Sequence, residues 1–419
     1  MTRRRRKRRS LIGQIFGFFV RVLLFGLIIW FGLKVAAHYG IIGQDALQEV
    51  SETVTETVSE HVSLPGLPSA KPEVQWDVSQ EGYYYAFLNE TEQSLYQTLL
   101  HACENYEFQV ELKEKADANM LFHAVTALTC DYPEYYWTNK PYTYYQNGAG
   151  RVVSVEFASD GSEESVLAEV GRIADEVIAG CPEPGYEAYK YLYDWIIDTT
   201  DYDEAASDSG QNLGSVFLEH RSVCAGYSKA YQYLCKKAGL ECIYVTGTAV
   251  MKDGTQGSHA WNLIRINGQY FWADVTWGDP VFEGSGSYGT NYNYFCVSDR
   301  TLNAEHMLSR ELTGTEGSSP LIAEYPSCGD DSYDWYVLNG SRFETYDPAA
   351  AEQYILQAQS IGRTRFEMKF GSLDELMRAK EDLISNEQFF RILQSTGVPC
   401  TTLSYVLFEP IGAMWIIPQ

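Results

Sequence analysis

The stretch HAWNLIRINGQYFWADVTW, residues 259–277, decides the fold expected for the middle of this 419-residue chain. Two apolar runs flank an Asn-Gly pair at 267–268. Asn-Gly between such runs is the strongest local signal for a two-residue β-hairpin. With that loop, Ile266 lies opposite Gln269, and the register of both strands is fixed. The stretch therefore predicts an antiparallel sheet at the centre of a domain.

The same register predicts that a histidine and an aspartate meet. Two-residue periodicity puts His259, Trp261 and Asp274 on one face of the hairpin, with Trp261 directly opposite Asp274. His259 and Asp274 are then diagonal neighbours with backbones about 7 to 8 Å apart, and their side chains can hydrogen-bond. A carboxylate that orients an imidazole is the arrangement of a catalytic base.

A cysteine precedes the hairpin in SVCAGYSKAYQYL, residues 222–234. The apolar spacing from Tyr227 to Leu234 predicts a helix that ends at Gly239, so Cys224 lies in its first turn. Unpaired N–H groups and the positive end of the helix dipole stabilise a thiolate there, and they could also receive an oxyanion. The cysteine is therefore a candidate nucleophile.

Each of the three residues also has an ordinary explanation. A lone cysteine is usually a small buried apolar side chain, a histidine near a strand start is usually solvated or satisfied, and an aspartate between aromatics can cap a turn. The combination of thiol, imidazole and carboxylate favours covalent catalysis over coincidence.

The blocks SVCAGYSKAY, AGLECIYVTG and SHAWNLIRINGQYFWADVTWGDP resemble the transglutaminase-like superfamily over residues 212–280. The resemblance implies an α+β fold with a papain-like core, in which a helix bearing the cysteine packs on an antiparallel sheet. It also implies a triad, with Cys224 as nucleophile, His259 as general base and acid, and Asp274 as the residue that orients His259.

Further site residues are expected beside the triad. The resemblance implies that Gln211 helps to stabilise the oxyanion, although a helix-capping or loop role is equally open. Trp261, Trp272 and Trp277 are placed to line a closed site, with the hydrophobic core of the hairpin as the alternative. No cofactor and no metal are expected, since the nine cysteines include no CxxC pair and the acidic loop at 201–208 lacks the order of a calcium loop.

The N-terminal sequence predicts a membrane anchor. Residues 11–37 are apolar for longer than the roughly 20 residues that cross a bilayer. The basic segment at 1–10 is then cytoplasmic by the positive-inside rule, and the catalytic domain of a single-pass protein of the cell membrane lies outside. A secretory signal cleaved near Ala37 is the competing interpretation.

Charge separates the N-terminus from the rest of the chain. Nine of the 31 basic residues precede residue 38, so 22 basic residues face all 56 acidic ones beyond it. Such a surface repels nucleic acid, so no nucleic-acid partner is expected. Residues 38–73 predict a stalk, either extended or a short self-associating helix that ends in prolines.

The remaining sequence divides into three regions. Residues 74–185 predict an N-terminal α/β region that begins with a strand at 81–88, and residues 186–310 predict the transglutaminase-like catalytic domain. Residues 331–419 alternate strands and helices and predict a small α/β unit, with DWYVL at 334–338 as a strand.

The expected function is extracytoplasmic acyl transfer or hydrolysis at amide bonds through a thioester. Water as acceptor makes the protein a protease or amidase, and a lysine amine makes it a cross-linking enzyme. The substrate is a protein or peptide, with cell-wall peptide among the candidates. The alternative is a non-catalytic cell-surface module that uses the same fold for binding or assembly.

Overall fold

The computed structural model describes residues 82–206, 211–251, 254–279, 289–312, 318–398 and 400–419. The predicted membrane helix at 11–37 and the stalk at 38–73 lie outside these residues. Of the helices that are described, none is long and apolar enough to cross a bilayer. All described residues fall into one compact unit.

Residues 82–185 form three α-helices and a small sheet. In chain order the elements are a 3-10 helix (Tyr84–Phe87), α1 (Glu90–Glu104), β1 (Gln109–Glu111), α2 (Ala118–Asp131), a 3-10 helix (Tyr136–Asn139), β2 (Tyr142–Gln146), β3 (Val152–Phe157) and α3 (Glu163–Ala179). The sheet is antiparallel with strand order β1-β3-β2. A capping box starts α1, because the Asn89 side chain accepts from two backbone N–H groups while the Glu92 carboxylate accepts from the N–H of Asn89.

The strand expected at 81–88 is wrong, because this segment forms a 3-10 helix. A buried carboxylate causes the difference: Asp131 accepts hydrogen bonds from the backbone N–H groups of Tyr84 at 2.9 Å and Tyr85 at 3.1 Å. Successive N–H groups of a strand point to opposite sides, so two that meet one carboxylate require a turn.

Residues 186–308 contain a five-stranded antiparallel sheet of order β10-β6-β7-β8-β9. Their elements are α4 (Tyr186–Thr199), β4 (Asp201–Tyr202), a 3-10 helix (Glu204–Ala206), α5 (Leu213–Phe217), β5 (Arg221–Ser222), α6 (Cys224–Lys237), β6 (Cys242–Val250), β7 (Gln256–Ile266), β8 (Gln269–Ala273), β9 (Phe295–Val297), α7 (Asp299–Leu302) and β10 (His306–Leu308). The predicted α+β class is confirmed.

Helix α6 packs on the sheet with its apolar face and also forms hydrogen bonds with strand β7. The Ser228 hydroxyl donates to the backbone oxygen of Ala260 at 2.9 Å, and the Asn262 amide donates to the backbone oxygen of Ser228 at 2.9 Å. All three residues are buried. Because strand β7 also carries His259, these bonds fix the start of α6 relative to that histidine.

The predicted hairpin is confirmed. Both loop residues at 267–268 have positive φ, at 50° and 84°, as a two-residue turn of this type requires. Pairing begins at Ile266 with Gln269 and ends one residue before Asp274. The backbone N–H of Asp274 donates instead to the oxygen of Tyr294 at 2.9 Å, so Asp274 follows the ladder rather than belonging to it.

The C-terminal residues form a four-stranded sheet of order β13-β14-β16-β15 with its own apolar core. The elements after β10 are β11 (Glu311–Leu312), β12 (Leu321–Ile322), α8 (Trp335–Leu338), β13 (Arg342–Phe343), α9 (Pro348–Ser360), β14 (Phe366–Phe370), α10 (Leu373–Lys380), a π-helix (Glu381–Ser385), α11 (Gln388–Ser395), β15 (Leu403–Phe408), a 3-10 helix (Glu409–Ile411) and β16 (Ala413–Pro418).

The strand expected at 334–338 is wrong, because Trp335–Leu338 form the short helix α8. Its N-cap, Asp334, accepts a hydrogen bond from the N–H of Tyr336 at 2.8 Å. The other carboxylate oxygen of Asp334 pairs with the buried ammonium group of Lys369 at 2.7 Å. This ion pair joins α8 to strand β14 and favours the helical turn over an extended strand.

Candidate active site

Cys224 begins helix α6 and borders a large cleft. The preceding residue, Val223, has an extended backbone, so Cys224 is the first helical residue, as predicted. The N–H groups of Gly226 and Tyr227 donate to the oxygen of Val223, and the N–H groups of Cys224 and Ala225 precede these bonds at the helix start, where a negative charge is favoured. The Cys224 side chain is half-buried and lines a cleft of about 1210 Å³ together with His259.

His259 lies on strand β7 between the thiol and a carboxylate. Its Nε2 atom is 2.7 Å from Oδ2 of Asp274, and the Cys224 side chain also interacts with the ring. Burial lowers the pKa of His259, but Asp274 and Cys224 outweigh burial and raise this pKa to about 10. The ring therefore holds its proton at neutral pH.

Asp274 is fully buried and accepts three hydrogen bonds. Oδ2 accepts from Nε2 of His259 and from Nε2 of His306, the latter at 2.9 Å. Oδ1 accepts from the backbone N–H of Trp277 at 3.0 Å. Burial alone would raise the pKa of Asp274, but the two histidines hold this pKa well below its usual range. The carboxylate is thus an anion with a fixed orientation.

His306 is the site residue that sequence reasoning missed. It lies on β10, is 1% exposed, and reaches Asp274 only because β10 pairs with β6 through residues far apart in the chain, His306 with Ala249. Among the described residues, its Nδ1 atom is buried without a hydrogen-bond partner. No local pattern in HML at 306–308 distinguishes this histidine from a core residue, so only the fold reveals it.

Aromatic rings enclose the two imidazoles. Trp277 lies 5.6 Å from His259 and 4.5 Å from His306 between ring centroids, and Trp261 lies 5.9 Å and 5.1 Å from the same rings. Tyr294 packs against His306 at 4.9 Å. These rings restrict both imidazoles and keep water from their hydrogen bonds with the carboxylate.

The structure places Gln211 and the three tryptophans, which were expected beside the triad, in different surroundings. Gln211 lines the cleft together with Cys224, and its backbone oxygen accepts from Lys229. Trp261 is fully buried and Trp272 is 2% exposed, with its Nε1 atom donating to Asp299 at 2.7 Å. Trp277 is partly exposed but packs on the imidazoles. None of the three tryptophans lines the cleft. They lie in the core behind the triad, which was the alternative to lining a closed site.

Segments far apart in sequence form the cleft. Residues from α2 and strand β2 form one part of its wall, and residues around β10 form another. These residues are Val125, Thr126, Thr129, Tyr142, Tyr144, Met307, Leu308 and Ser309. The N-terminal region is therefore part of the site, beyond the span that carries the triad.

Among the residues that the structure describes, His259, Asp274 and His306 form a group that could hold a metal ion, with their ligand atoms within 4.8 Å of one another. Nitrogen and oxygen ligands at 2.0 to 2.1 Å from a tetrahedral zinc ion lie about 3.3 Å apart. The two nitrogen-to-oxygen distances here are 2.7 Å and 2.9 Å, which are hydrogen-bond lengths. Protons therefore account for this geometry.

Comparison with known proteins matches the middle of the chain to a family. Residues 171–276 match the family model of the transglutaminase-like superfamily. Kyphoscoliosis peptidase of Mus musculus is 27% identical over 134 residues, which cover 29% of this chain and 20% of the mouse protein. The chain thus spans about a fifth of the length of this relative.

Two solved structures have local similarity. A proposed cysteine protease from Cytophaga hutchinsonii is 15% identical, with a TM-score of 0.23, over 32% of this chain and 61% of that chain. A TGase is 13% identical, with a TM-score of 0.25, over 43% of this chain and 52% of that chain. These scores are too low to define a fold, so the assignment rests on the family match. Residues 171–276 form a transglutaminase-like domain that contains Cys224, His259 and Asp274, and His306 lies beyond its end.

Proposed function

We propose that this protein is a cysteine-dependent enzyme that cleaves or transfers acyl groups at amide bonds of proteins or peptides. The observation that carries the proposal is that Cys224 and His259 line one cleft, with the imidazole of His259 hydrogen-bonded to the buried carboxylate of Asp274 behind it. A nucleophile, a base and an orienting group in this order are the requirements of covalent acyl transfer.

The proposed reaction has two halves. The Cys224 thiolate attacks the carbonyl carbon of the amide, and the first-turn N–H groups of α6 stabilise the oxyanion. The protonated His259 ring gives its proton to the leaving nitrogen, the carbon–nitrogen bond breaks, and a thioester remains. His259, now neutral, takes a proton from water or from an amine. That acceptor attacks the thioester and restores the thiolate paired with the imidazolium.

Hydrolysis and amine transfer share every residue of this scheme. The mouse relative is named a peptidase, which favours hydrolysis, with water as the acceptor. Exclusion of water from the cleft during the thioester stage would favour an amine instead. Products from a single peptide digest separate the two outcomes, because hydrolysis yields two shorter peptides and amine transfer yields a cross-linked one.

We also propose an extracytoplasmic location. Residues 11–37 would anchor the chain in the cell membrane, the basic segment at 1–10 would lie in the cytoplasm, and the catalytic region would face outward. Peptides of the cell wall are then among the substrates within reach. Protease added to intact cells tests this topology: digestion of the catalytic region supports it, and full protection contradicts it.

Alkylation tests for an activated nucleophile. Iodoacetamide at mildly acidic pH should modify Cys224 much faster than Cys400, a half-buried thiol of the C-terminal unit that serves as the internal reference. Peptide mass mapping measures both rates in one sample. Equal rates at Cys224 and Cys400 would contradict an enzyme and favour a binding module on this fold.

A digest of a peptide library identifies the substrate. Wild-type protein and Cys224→Ala are incubated with the same library, and products are compared by mass spectrometry. We expect a set of cleaved or cross-linked peptides that is absent with Cys224→Ala, because that variant lacks the attacking sulfur. Identical product sets from the two proteins would mean that Cys224 does no chemistry on peptides.

A further inference from the structure

A buried lysine borders the cleft that the candidate nucleophile Cys224 also lines. Lys229 follows Cys224 by five residues on helix α6, is 3% exposed, and lines the same cleft as Cys224 and His259. Side chains on a helix lean toward its N-terminus. Five residues also turn an α-helix by about 140°, so Lys229 leaves α6 in a different direction from Cys224, and what the two side chains share is the cleft that both line.

The ammonium group has few partners. Its Nζ atom donates to the backbone oxygen of Gln211 at 3.1 Å and lies 5.5 Å from the centre of the Tyr244 ring. Within the part of the chain that the structure describes, no carboxylate forms an ion pair with Lys229. An ammonium group has three protons to donate, so two remain for a ligand. Burial lowers the pKa of Lys229 to about 8, as expected for a cation without a counter-ion.

The surface around the cleft is acidic, whereas Lys229 places a cation inside it. Two lining residues of the cleft are acidic, Glu204 and Glu311, and both are exposed to solvent. The chain beyond residue 37 is strongly acidic as well. An anionic ligand would be repelled from most of this surface. A buried cation in the cleft that Cys224 lines therefore favours a ligand whose negative charge reaches Lys229.

We propose that Lys229 forms a subsite that binds a carboxylate of the substrate next to the bond that Cys224 attacks. The substrate class is an acidic peptide, with the carboxylate supplied by a glutamate or aspartate side chain or by the peptide C-terminus. The two free protons of the ammonium group donate to the carboxylate, which replaces the missing counter-ion. The assignment of a substrate rests on the proposed function, whereas the anion site itself does not.

Two alkylating agents of nearly equal size test the subsite. Iodoacetate carries a carboxylate beside its reactive carbon, and iodoacetamide carries a neutral amide there. The rate ratio of iodoacetate to iodoacetamide at Cys224 is measured on the full-length protein by peptide mass mapping. We expect this ratio to fall about tenfold in Lys229→Met and to be retained in Lys229→Arg, since a cation inside a cleft raises the encounter rate of an anion.

The control variant is Lys140→Met, because Lys140 lines the same cleft and its loss should leave the ratio unchanged if proximity to Cys224 matters. The His259 imidazolium attracts iodoacetate in every variant, so only the change in the ratio is informative. An unchanged ratio in folded Lys229→Met would overturn the subsite. Slow reaction of Cys224 with both reagents, at the rate of Cys400, would instead refute the proposed enzyme and leave the ratio test valid.

A competition experiment tests the subsite without any substitution. N-acetylglutamine carries only an α-carboxylate, and its isomer N-acetylisoglutamine carries only a side-chain carboxylate. Each should slow the alkylation of wild-type Cys224 by iodoacetamide more than the neutral diamide of N-acetylglutamate does. The stronger competitor identifies which carboxylate of a peptide the subsite takes. Equal competition by all three compounds would overturn the proposal.

Discussion

Two buried carboxylates of this protein have similar surroundings and opposite electrostatics. Asp131, in the N-terminal region, accepts hydrogen bonds from two backbone N–H groups and a tyrosine hydroxyl. Asp274, in the catalytic region, accepts from two imidazole rings and one backbone N–H. Burial raises the pKa of Asp131 to about 7, whereas the histidines hold the pKa of Asp274 well below its usual range despite burial.

The comparison shows that the kind of partner, more than burial or the number of hydrogen bonds, decides which carboxylate is an anion. Neutral donors around Asp131 only partly offset the cost of burying a charge. Beside Asp274 the His259 ring holds its proton and supplies a compensating positive charge, so this carboxylate stays ionised and keeps the His259 proton available to Cys224. The first site fixes a turn, and the second can take part in proton transfer.

The largest expected effect comes from Asp274→Asn, which gives Asp274 a neutral side chain of the same shape. We expect kcat on a substrate found by the peptide digest to fall by about 10³ to 10⁴, as when an orienting carboxylate of a triad is lost. The rate of Cys224 alkylation, plotted against pH, should change at alkaline pH where His259 loses its proton, and this transition is called the alkaline limb. The alkaline limb should move to lower pH, because Asp274 helps to raise the pKa of His259 to about 10.

Asp131→Asn is the matched control for that experiment. It removes the other buried carboxylate and should leave the alkaline limb in place. An alkaline limb that moves equally in both variants would mean that the Asp274 result reports general destabilisation.

A smaller effect is expected from His306, which acts as a positioning residue through Asp274. Replacing His306 with Met removes the donor at Nε2, and we expect kcat to fall by about 10- to 100-fold with KM unchanged, as for other outer partners of a catalytic group. His306→Gln keeps an N–H near the Nε2 position and should recover most of this loss. The alkaline limb should move to lower pH in His306→Met, because a carboxylate that is less firmly held supports the His259 proton less well.

Thermal unfolding of both His306 variants separates positioning from packing. His306 would only fill space among the aromatic rings if two results were found together: the Met and Gln variants lose equal activity, and their alkaline limbs lie at the same pH as in the wild type.

The smallest expected effect concerns stability and not activity. The folded-state pKa of Asp131 is about 7, above its unfolded value of 3.8. Its contribution to the free energy of unfolding is therefore fully present below pH 3.8 and is lost as pH rises through about 7. Asp274 has the opposite sign, and its contribution is lost as pH falls. We expect Asp131→Asn to flatten the fall in stability between pH 4 and 8, measured by urea unfolding, and an unaltered slope would contradict the raised pKa.

Local sequence predicted much of the candidate site. The Asn-Gly pair fixed the hairpin register, and the apolar spacing after Cys224 placed that residue at a helix start. Both signals are short-range, since a two-residue turn sets every pair that follows it and a helix start is set by its own first turn. The meeting of His259 and Asp274 was predicted from the same register, but the predicted pairing of Trp261 with Asp274 is wrong. The ladder ends at Asn262 and Ala273, and the backbone of Asp274 bonds to Tyr294 instead.

The failures of sequence reasoning have a common physical cause. The turn at Tyr84–Phe87 depends on Asp131, some 46 residues away, and the helix at Trp335–Leu338 is supported by an ion pair to Lys369. Local propensity favoured strands in both places, and tertiary contacts overrode that preference.

The sequence by itself therefore determined the hairpin, the cysteine at the helix start, and the order of the triad, because each is encoded by residues adjacent in the chain. The tertiary structure alone brought His306 to Asp274, buried Lys229 beside the nucleophile, and built the cleft from α2, β2 and β10. These features require contacts between distant segments, and the energy of such contacts depends on which surfaces the fold brings together.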